Sequence, residues 1–283
     1  MFMQPSTVVW IAGANGRLGG AIESALDKKK YLVIPTDKEV DITNLDVVND
    51  YVSGCRPDYI INCAAMAKKE DADKNPDEAY RVNALGARNL AIAAAGSGAT
   101  LVHLSTDDVF PGVLPHKVNE FDKTIPPHVY GKSKEAGEQL VRDLCPHHII
   151  VRSSWVYTFN DDDLIGQYTK SILAGENVYI ATNQYACPTS AKTLADFIIA
   201  AIESGEFGIF HAVCTGICSR YEFAKTALEL MGVPTNALLG KQDPGEGYRI
   251  ELDNLMMRLT GVFEMPAWQD DLKQRLAEEG RLH

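Results

Sequence analysis

The chain has no long apolar run. Nothing in its 283 residues approaches the roughly 20 consecutive apolar positions a membrane-crossing helix needs, so a helical span is excluded. The opening Met1-Phe2-Met3-Gln4-Pro5-Ser6-Thr7 lacks a basic region followed by an apolar core and does not read as a signal peptide. Positive charge is also short: 27 Lys and Arg against 38 Asp and Glu give a net charge of -11. A nucleic-acid face needs clustered cations to meet phosphates. The densest basic run, Lys28-Lys29-Lys30, instead fits the end of a helix, where cations suit the negative end of the dipole. Cysteine is sparse and scattered, at Cys55, Cys63, Cys145, Cys187, Cys214 and Cys218. Cys214 and Cys218 stand as C-x-x-x-C with no second ligand pair nearby, so neither a zinc site nor a disulfide framework is indicated. Buried reduced thiols point to the cytoplasm. Asn160-Asp161-Asp162-Asp163 reads as a solvated loop and helix start, and no metal site is expected. Low-complexity linkers and internal repeats are absent.

What the chain does have is an alternation of two periodicities. Short, mostly apolar strands are expected at Val8–Ala12, Tyr31–Ile34, Tyr59–Cys63, Thr100–Leu104 and His148–Val151. Between them lie helices: Leu18–Leu26, one opening near Thr43-Asn44, and an Ala-rich one from Pro76 to about Ala95 that Gly96-Ser97-Gly98 stops. Such alternation means a parallel sheet covered by helices on both faces. After Trp155 the pattern loosens into short apolar segments and helices at Ala191–Ile202, Tyr221–Met231 and Trp268–Ala277.

Gly13-Ala14-Asn15-Gly16-Arg17-Leu18-Gly19 follows the first strand and opens the first helix. Glycines at this spacing let the chain turn tightly and bring backbone N–H groups and a helix N-terminus against a pyrophosphate. Asp37 follows the second strand, about twenty residues on, where a carboxylate can accept hydrogen bonds from ribose hydroxyls. That favours NAD, whereas Arg17 and Lys38 could neutralise the 2′-phosphate of NADP, so the sequence leaves NADH and NADPH both open. The fold expected is therefore α/β: a Rossmann-like doubly wound parallel sheet at 1–152, which binds the dinucleotide. A smaller, mainly substrate-binding domain at 153–283 returns some segments to the core and packs on the carboxyl ends of the strands.

Tyr130-Gly131-Lys132-Ser133-Lys134 places a phenol and an ammonium one helical turn apart. A nearby cation stabilises phenolate, so Lys134 is expected to lower the Tyr130 pKa towards neutrality and free its proton. The motif is common: 11 tyrosines and 16 lysines give about 0.6 chance matches, and Tyr221-Glu222-Phe223-Ala224-Lys225 is a second one. Position favours Tyr130, because the strand before it ends in Leu104-Ser105-Thr106-Asp107, and the Thr106 hydroxyl can bond the oxygen that Tyr130 protonates. His103, His147 and His148 read as structural.

Together these segments resemble the extended short-chain dehydrogenase/reductase superfamily, and within it the dTDP-4-dehydrorhamnose reductase family. The likeness runs nearly end to end: Asp41-Ile42-Thr43-Asn44, Pro57 to Ala65, Val82-Asn83-Ala84, Ser105-Thr106-Asp107, Tyr130 to Glu138, Ser154-Trp155-Val156-Tyr157 and Pro188-Thr189. It implies reduction of the C4 ketone of dTDP-4-dehydro-6-deoxy-L-mannose to dTDP-L-rhamnose, a step of nucleotide-sugar biosynthesis. It implies Tyr130, Lys134 and Thr106 as the catalytic residues. Gly13, Asn15, Gly16, Arg17, Leu18, Gly19, Asp37, Asp41, Ile42, Ala64 and Ala65 would meet the cofactor, with Tyr130 and Lys134. Thr106, Asp107, Asp108, Trp155 and, for the diphosphate, Arg249 would meet the substrate. The family usually has Tyr where Asp108 and Met66 stand. Thr106-Asp107-Asp108 is similar to the Thr-Asp-Glu of nucleotide-sugar 4,6-dehydratases, and some reductase-like chains are non-catalytic regulatory subunits. Those remain the alternatives. Neither nucleic acid nor membrane is expected as a partner; a homodimer is compatible with the sequence, which sets neither the oligomeric state nor any dependence on Mg2+.

Overall fold

The structure, a computed structural model, describes residues 7–160, 163–245 and 247–283. Residues 1–6 of the leader reading and Asp161-Asp162 of the acidic loop lie outside the described residues. The first half supplies strands β1 (Thr7–Ala12), β2 (Tyr31–Thr36), β3 (Tyr59–Asn62), β4 (Thr100–Thr106) and β5 (His148–Ser153). A further strand, Gly208–His211, comes from the second half and pairs with β5. The order across the sheet is Gly208–His211, β5, β4, β3, β1, β2, and every neighbour is parallel.

The helices of the first half are α1 (Arg17–Ala25), α2 (Leu45–Cys55), α3 (Lys69–Lys74), α4 (Pro76–Tyr80), α5 (Ala87–Ser97) and α6 (Val129–Leu144). Those of the second are α7 (Leu164–Leu173), α8 (Ala191–Ser204), α9 (Arg220–Leu230), α10 (Leu255–Thr260) and α11 (Trp268–Glu278). The strands are apolar at successive positions because helices bury both faces. One register row, Ile11–Ile61–Val102–Ile149, lies under Ile22 of α1 and Leu194, Phe197 and Ile198 of α8. The adjoining row, Trp10–Ile60–Leu101, lies under Val48 and Val52 of α2, Leu90 and Ala91 of α5 and Val141 of α6.

From β1 the chain moves to β2 on one side and later to β3 on the other. The carboxyl ends of β1 and β3 therefore part at a crevice, the place where open α/β sheets take ligands. The second half has its own core around Tyr157, Phe159, Leu228, Trp268 and Leu272. Asp271 is fully buried there and accepts from the Tyr157 hydroxyl, the Ser190 N–H and the Ser190 hydroxyl, each at 2.9 Å. These bonds tie α11 to the start of α8 and satisfy a charge that burial alone would penalise.

Two local expectations need correction. The Lys28-Lys29-Lys30 run does not close α1, which ends at Ala25 with Leu26 already extended. The lysines lie in the turn to β2, where the N–H groups of Lys30 and Tyr31 both bond the Asp27 carbonyl at 2.9 Å. The Ala-rich helix from Pro76 is not continuous: a π-helical stretch, Arg81–Gly86, separates α4 from α5. It also runs past Gly96 to Ser97, and Gly98 at φ 80° makes the left-handed cap.

Candidate active site

The glycine loop is fixed by what has no room beside it. Gly13 sits at φ +83°, and a Cβ there would lie 2.6 Å from the Ala64 nitrogen and 2.9 Å from the Cys63 carbonyl carbon. Its N–H and that of Ala14 both bond the Thr36 carbonyl at 2.8 Å, joining the ends of β1 and β2. At Gly19 a Cβ would meet the Gly13 oxygen at 2.4 Å, so α1 presses directly on the loop. Gly16 caps α1, whose amino end opens at the crevice. The close backbone packing that these glycines permit leaves the amino end of α1 at the crevice, where backbone N–H groups suit a pyrophosphate, so these residues fit a dinucleotide.

The other residues matched to the cofactor are less uniform. Asn15 is exposed, Leu18 packs partly on the core, and Asp37 is half-buried just after β2. Asp41 Oδ1 accepts from the N–H of Thr43 at 2.9 Å and its hydroxyl at 2.8 Å, a turn that leads into α2. Ile42 is a core residue that covers Gly86, and its carbonyl accepts from Asn89 at 3.0 Å. The Ala64 N–H is held by Asn62 Oδ1 at 3.2 Å, and Ala65 is exposed. Arg17 reaches the second half, donating to the Val156 carbonyl at 3.2 Å and pairing with Asp163 at 3.3 Å. Lys38 is exposed.

Helix α6 is held to its surroundings through Gly131, Ser133, Lys134, Gly137 and Glu138. A Cβ on Gly131 would lie 2.1 Å from the Asp108 carbonyl oxygen, and one on Gly137 2.3 Å from the Asn83 oxygen, so both glycines permit close approach. Ser133 donates to the Tyr130 carbonyl at 2.8 Å and accepts from Asn83 at 2.9 Å. Asn83 lies in the π-helical stretch and also clasps both backbone groups of Met66, at 2.9 and 3.1 Å. Glu138 takes Arg152 at 2.9 and 2.6 Å and the Ser105 hydroxyl at 2.5 Å, a buried anchor to β4 and β5.

Tyr130 and Thr106 come together at the carboxyl end of β4. The phenol is pushed above its ordinary range by burial first and then by the charge of Asp108, while a hydrogen bond with Thr106 pulls the other way. This corrects the expectation that Lys134 frees the Tyr130 proton. Lys134 donates to the Leu104 carbonyl at 2.5 Å, and burial lowers its own pKa to about 8. The ammonium is turned to the strand under the helix, whereas the phenol is buried beside two carboxylates, so burial first and the carboxylates second keep it protonated.

Those carboxylates belong to the 3-10 turn Asp107–Val109, capped by the Thr106 hydroxyl, which accepts from the Asp108 N–H at 3.2 Å. Asp107 Oδ2 accepts from Ser154 at 2.6 Å and Tyr248 at 2.8 Å, and Oδ1 from Thr106 at 3.2 Å. Burial, then the adjacent charge of Asp108, push its carboxyl up to about 6. Asp108 pairs with Lys69 of α3 at 2.6 Å, and the same ammonium lies 4.9 Å from the centre of the Tyr248 ring. Lys69 and Tyr248 were not legible as site residues. Ser154 stood inside a motif without a role of its own.

Trp155 adopts a left-handed backbone at φ 39°, and the Arg220 guanidinium covers its ring at 4.2 Å. Arg249 is exposed, stacked 5.4 Å over Tyr185. The second Tyr/Lys motif does not form a site: Lys225 pairs with Glu229 at 3.8 Å, and Tyr221 packs on the second core. His103 is buried against Asn62 at 3.0 Å, His147 stacks on Phe207, and His148 meets the Cys145 carbonyl at 2.6 Å. All six thiols are free. Among the described residues, no three His, Cys, Asp or Glu side chains gather as a metal site, and no helix is long and apolar enough to cross a membrane.

A family profile described as the RmlD substrate binding domain matches residues 7–280. The chain is 32% identical to the spore coat polysaccharide biosynthesis protein SpsK of Bacillus subtilis, over 96% of this chain and 98% of that one. With the dTDP-4-dehydrorhamnose reductase of Escherichia coli it shares 30% identity, over 95% of this chain and 97% of the other. The crystal structure of dTDP-4-dehydrorhamnose reductase from Bacillus anthracis, in complex with NADP, superposes with a TM-score of 0.92 at 35% identity, covering 96% and 99% of the two chains. A glycine cradle at the switch point, a Tyr130–Thr106 pair at the next strand end and a match from residue 7 to 280 agree: the chain belongs to the RmlD family, that of the dTDP-4-dehydrorhamnose reductases.

Proposed function

We propose that this chain reduces the C4 ketone of dTDP-4-dehydro-6-deoxy-L-mannose to the alcohol of dTDP-L-rhamnose, using NADH or NADPH. The observation that supports it most is the convergence of Tyr130 and Thr106 at the end of β4, beside the glycine cradle. When bound, the reduced nicotinamide supplies the hydride. Gly13, Gly16 and Gly19 would let the backbone approach the pyrophosphate, and Asp37 would accept from the ribose hydroxyls. Lys134, whose ammonium rests on the Leu104 carbonyl, would hold the nicotinamide ribose. Thr106 hydrogen-bonds the substrate oxygen and orients it towards Tyr130. Tyr130 is fully protonated at neutral pH, because burial and two carboxylates disfavour phenolate. It therefore acts as an acid that gives its proton only to a stronger base, the developing alkoxide.

The same reading assigns 1–152 to the dinucleotide and 153–283 mainly to the sugar nucleotide, with Trp155 and Arg249 on the substrate side. It places the protein in the cytoplasm, where reduced nicotinamides and nucleotide sugars are made, with a homodimer as the state to test by light scattering. Asp108 reaches less far than the glutamate of the Thr-Asp-Glu in 4,6-dehydratases, so dTDP-glucose, the substrate of a 4,6-dehydratase, is expected to be inert. The deciding assay is oxidation of NADH and of NADPH with the ketone generated in situ. No oxidation with either cofactor would overturn the reading.

A further inference from the structure

We propose that Lys69 and Asp108 form a charged clasp that selects ketones bearing a free hydroxyl on the ring carbon next to the carbonyl. Asp108 accepts from that hydroxyl, and Lys69 donates to its oxygen. The proposal rests on the reductase reading and names the part of the sugar that the site checks. In a 6-deoxy sugar reduced at C4, the hydroxyl-bearing neighbour is C3, since C5 carries the methyl group.

Placement comes first. Asp108 is two residues beyond Thr106, and its carbonyl is packed directly on Gly131, the residue after Tyr130. Its carboxylate is close enough to raise the Tyr130 phenol. A group that reaches Tyr130 and Thr106 through its carbonyl oxygen therefore brings its neighbouring carbon alongside Asp108. Lys69 arrives from α3 in the first half and rests on Tyr248 from the second half, so the clasp spans the two halves.

Chemistry decides what the clasp holds. The ammonium is 2.6 Å from Asp108 Oδ1, yet that oxygen has no aligned hydrogen-bond donor. The Lys69 side chain is 39% exposed and Asp108 11%, so water at the ammonium can give way to a ligand. A hydroxyl carries one donor and two acceptor lone pairs and serves both partners at once. A methylene in its place would set hydrocarbon against an ammonium and a carboxylate, the kind of mismatch that enforces strong discrimination.

The test compares kcat/KM for dTDP-4-dehydro-6-deoxy-L-mannose and its 3-deoxy counterpart, in the wild type, Lys69→Met, Lys69→Arg and Asp108→Asn. The wild type is expected to favour the hydroxylated ketone by about 100-fold, the worth of charge-assisted hydrogen bonds. Lys69→Met and Asp108→Asn should each bring the ratio below about 5-fold, by slowing the hydroxylated ketone much more than the deoxy one, whatever change both share through Tyr130. Lys69→Arg should retain most of it. Titration with dTDP-L-rhamnose gives a readout free of turnover: Lys69→Met should weaken product affinity about tenfold. Turnover of both ketones at a ratio that Lys69→Met leaves unchanged overturns the clasp alone. No turnover of either ketone by the wild type overturns the reductase reading, and the clasp with it.

Discussion

The two sides of the crevice are built by opposite means. At the glycine loop, side chains are missing where they would collide: Gly13 against Ala64, Gly19 against the loop's own carbonyl. Around Tyr130, charged and hydroxyl side chains crowd together in a buried space, and Asp107 alone takes hydrogen bonds from Thr106, Ser154 and Tyr248. One side is backbone packed on backbone, which tolerates little change in shape. The other uses charges whose worth depends on every neighbour. Substitutions in the cradle should therefore act through sterics and be insensitive to pH, whereas those around Tyr130 should act through protonation.

The largest effect that would break this contrast is kinetic. Tyr130→Phe keeps the ring and removes the acid, so turnover should fall by about 10²–10⁴-fold while cofactor affinity, measured by fluorescence titration, stays at the wild-type value. Loss of cofactor binding would show that the two sides are not separable. Next comes the pH dependence of stability. The Asp107 carboxyl rises from 3.8 unfolded to about 6 in the fold, so the native state holds a proton that the unfolded chain releases. Stability should then fall as pH rises from about 4 to 6 and level off above, since native protons exceed unfolded ones only in that window. Asp107→Asn should erase this component in urea titrations run at each pH; an unchanged difference between the two proteins across the window would refute it.

On the cradle side, Gly19→Ala places a methyl group 2.4 Å from the Gly13 oxygen and should cost about 1–3 kcal/mol, equally at pH 5 and pH 7, with weakened binding of NADPH. The smallest effect is expected for Arg17→Ala. Its side chain is 60% exposed where it pairs with Asp163, so thermal melting should register less than about 0.5 kcal/mol.

The same contrast explains what could be read from the chain. The glycine loop is local: its requirement for missing Cβ atoms is met within seven residues, and the strand–turn–helix pattern around it is visible at once. The parallel sheet was legible for a similar reason, since both of its faces are buried and its strands lack polar alternation. Tyr130 and Thr106 could be paired through the motif and the strand end. Lys69 and Tyr248 could not, because nothing in an isolated lysine or tyrosine says that folding will bring it to Asp107 or Asp108. The tuning of Tyr130 was misread for the same reason: helical spacing places Lys134 near it, but the direction of the ammonium depends on β4. The interruption of the Ala-rich helix was equally hidden, because Asn83 is positioned by Met66 and Ser133, which lie outside it.

The outermost strand beyond β5 is Gly208–His211, and this sets an order of events during synthesis. All of β1 to β5 leaves the ribosome before the strand that covers the β5 edge exists. At about 5–20 residues per second, the stretch from 154 to 211 takes about 3–12 s to make. Throughout that interval β5 offers an open row of backbone groups to any neighbouring nascent chain. The protein is thus most exposed to aggregation when more than half of it has been made, and slow codons in this stretch would lengthen the danger.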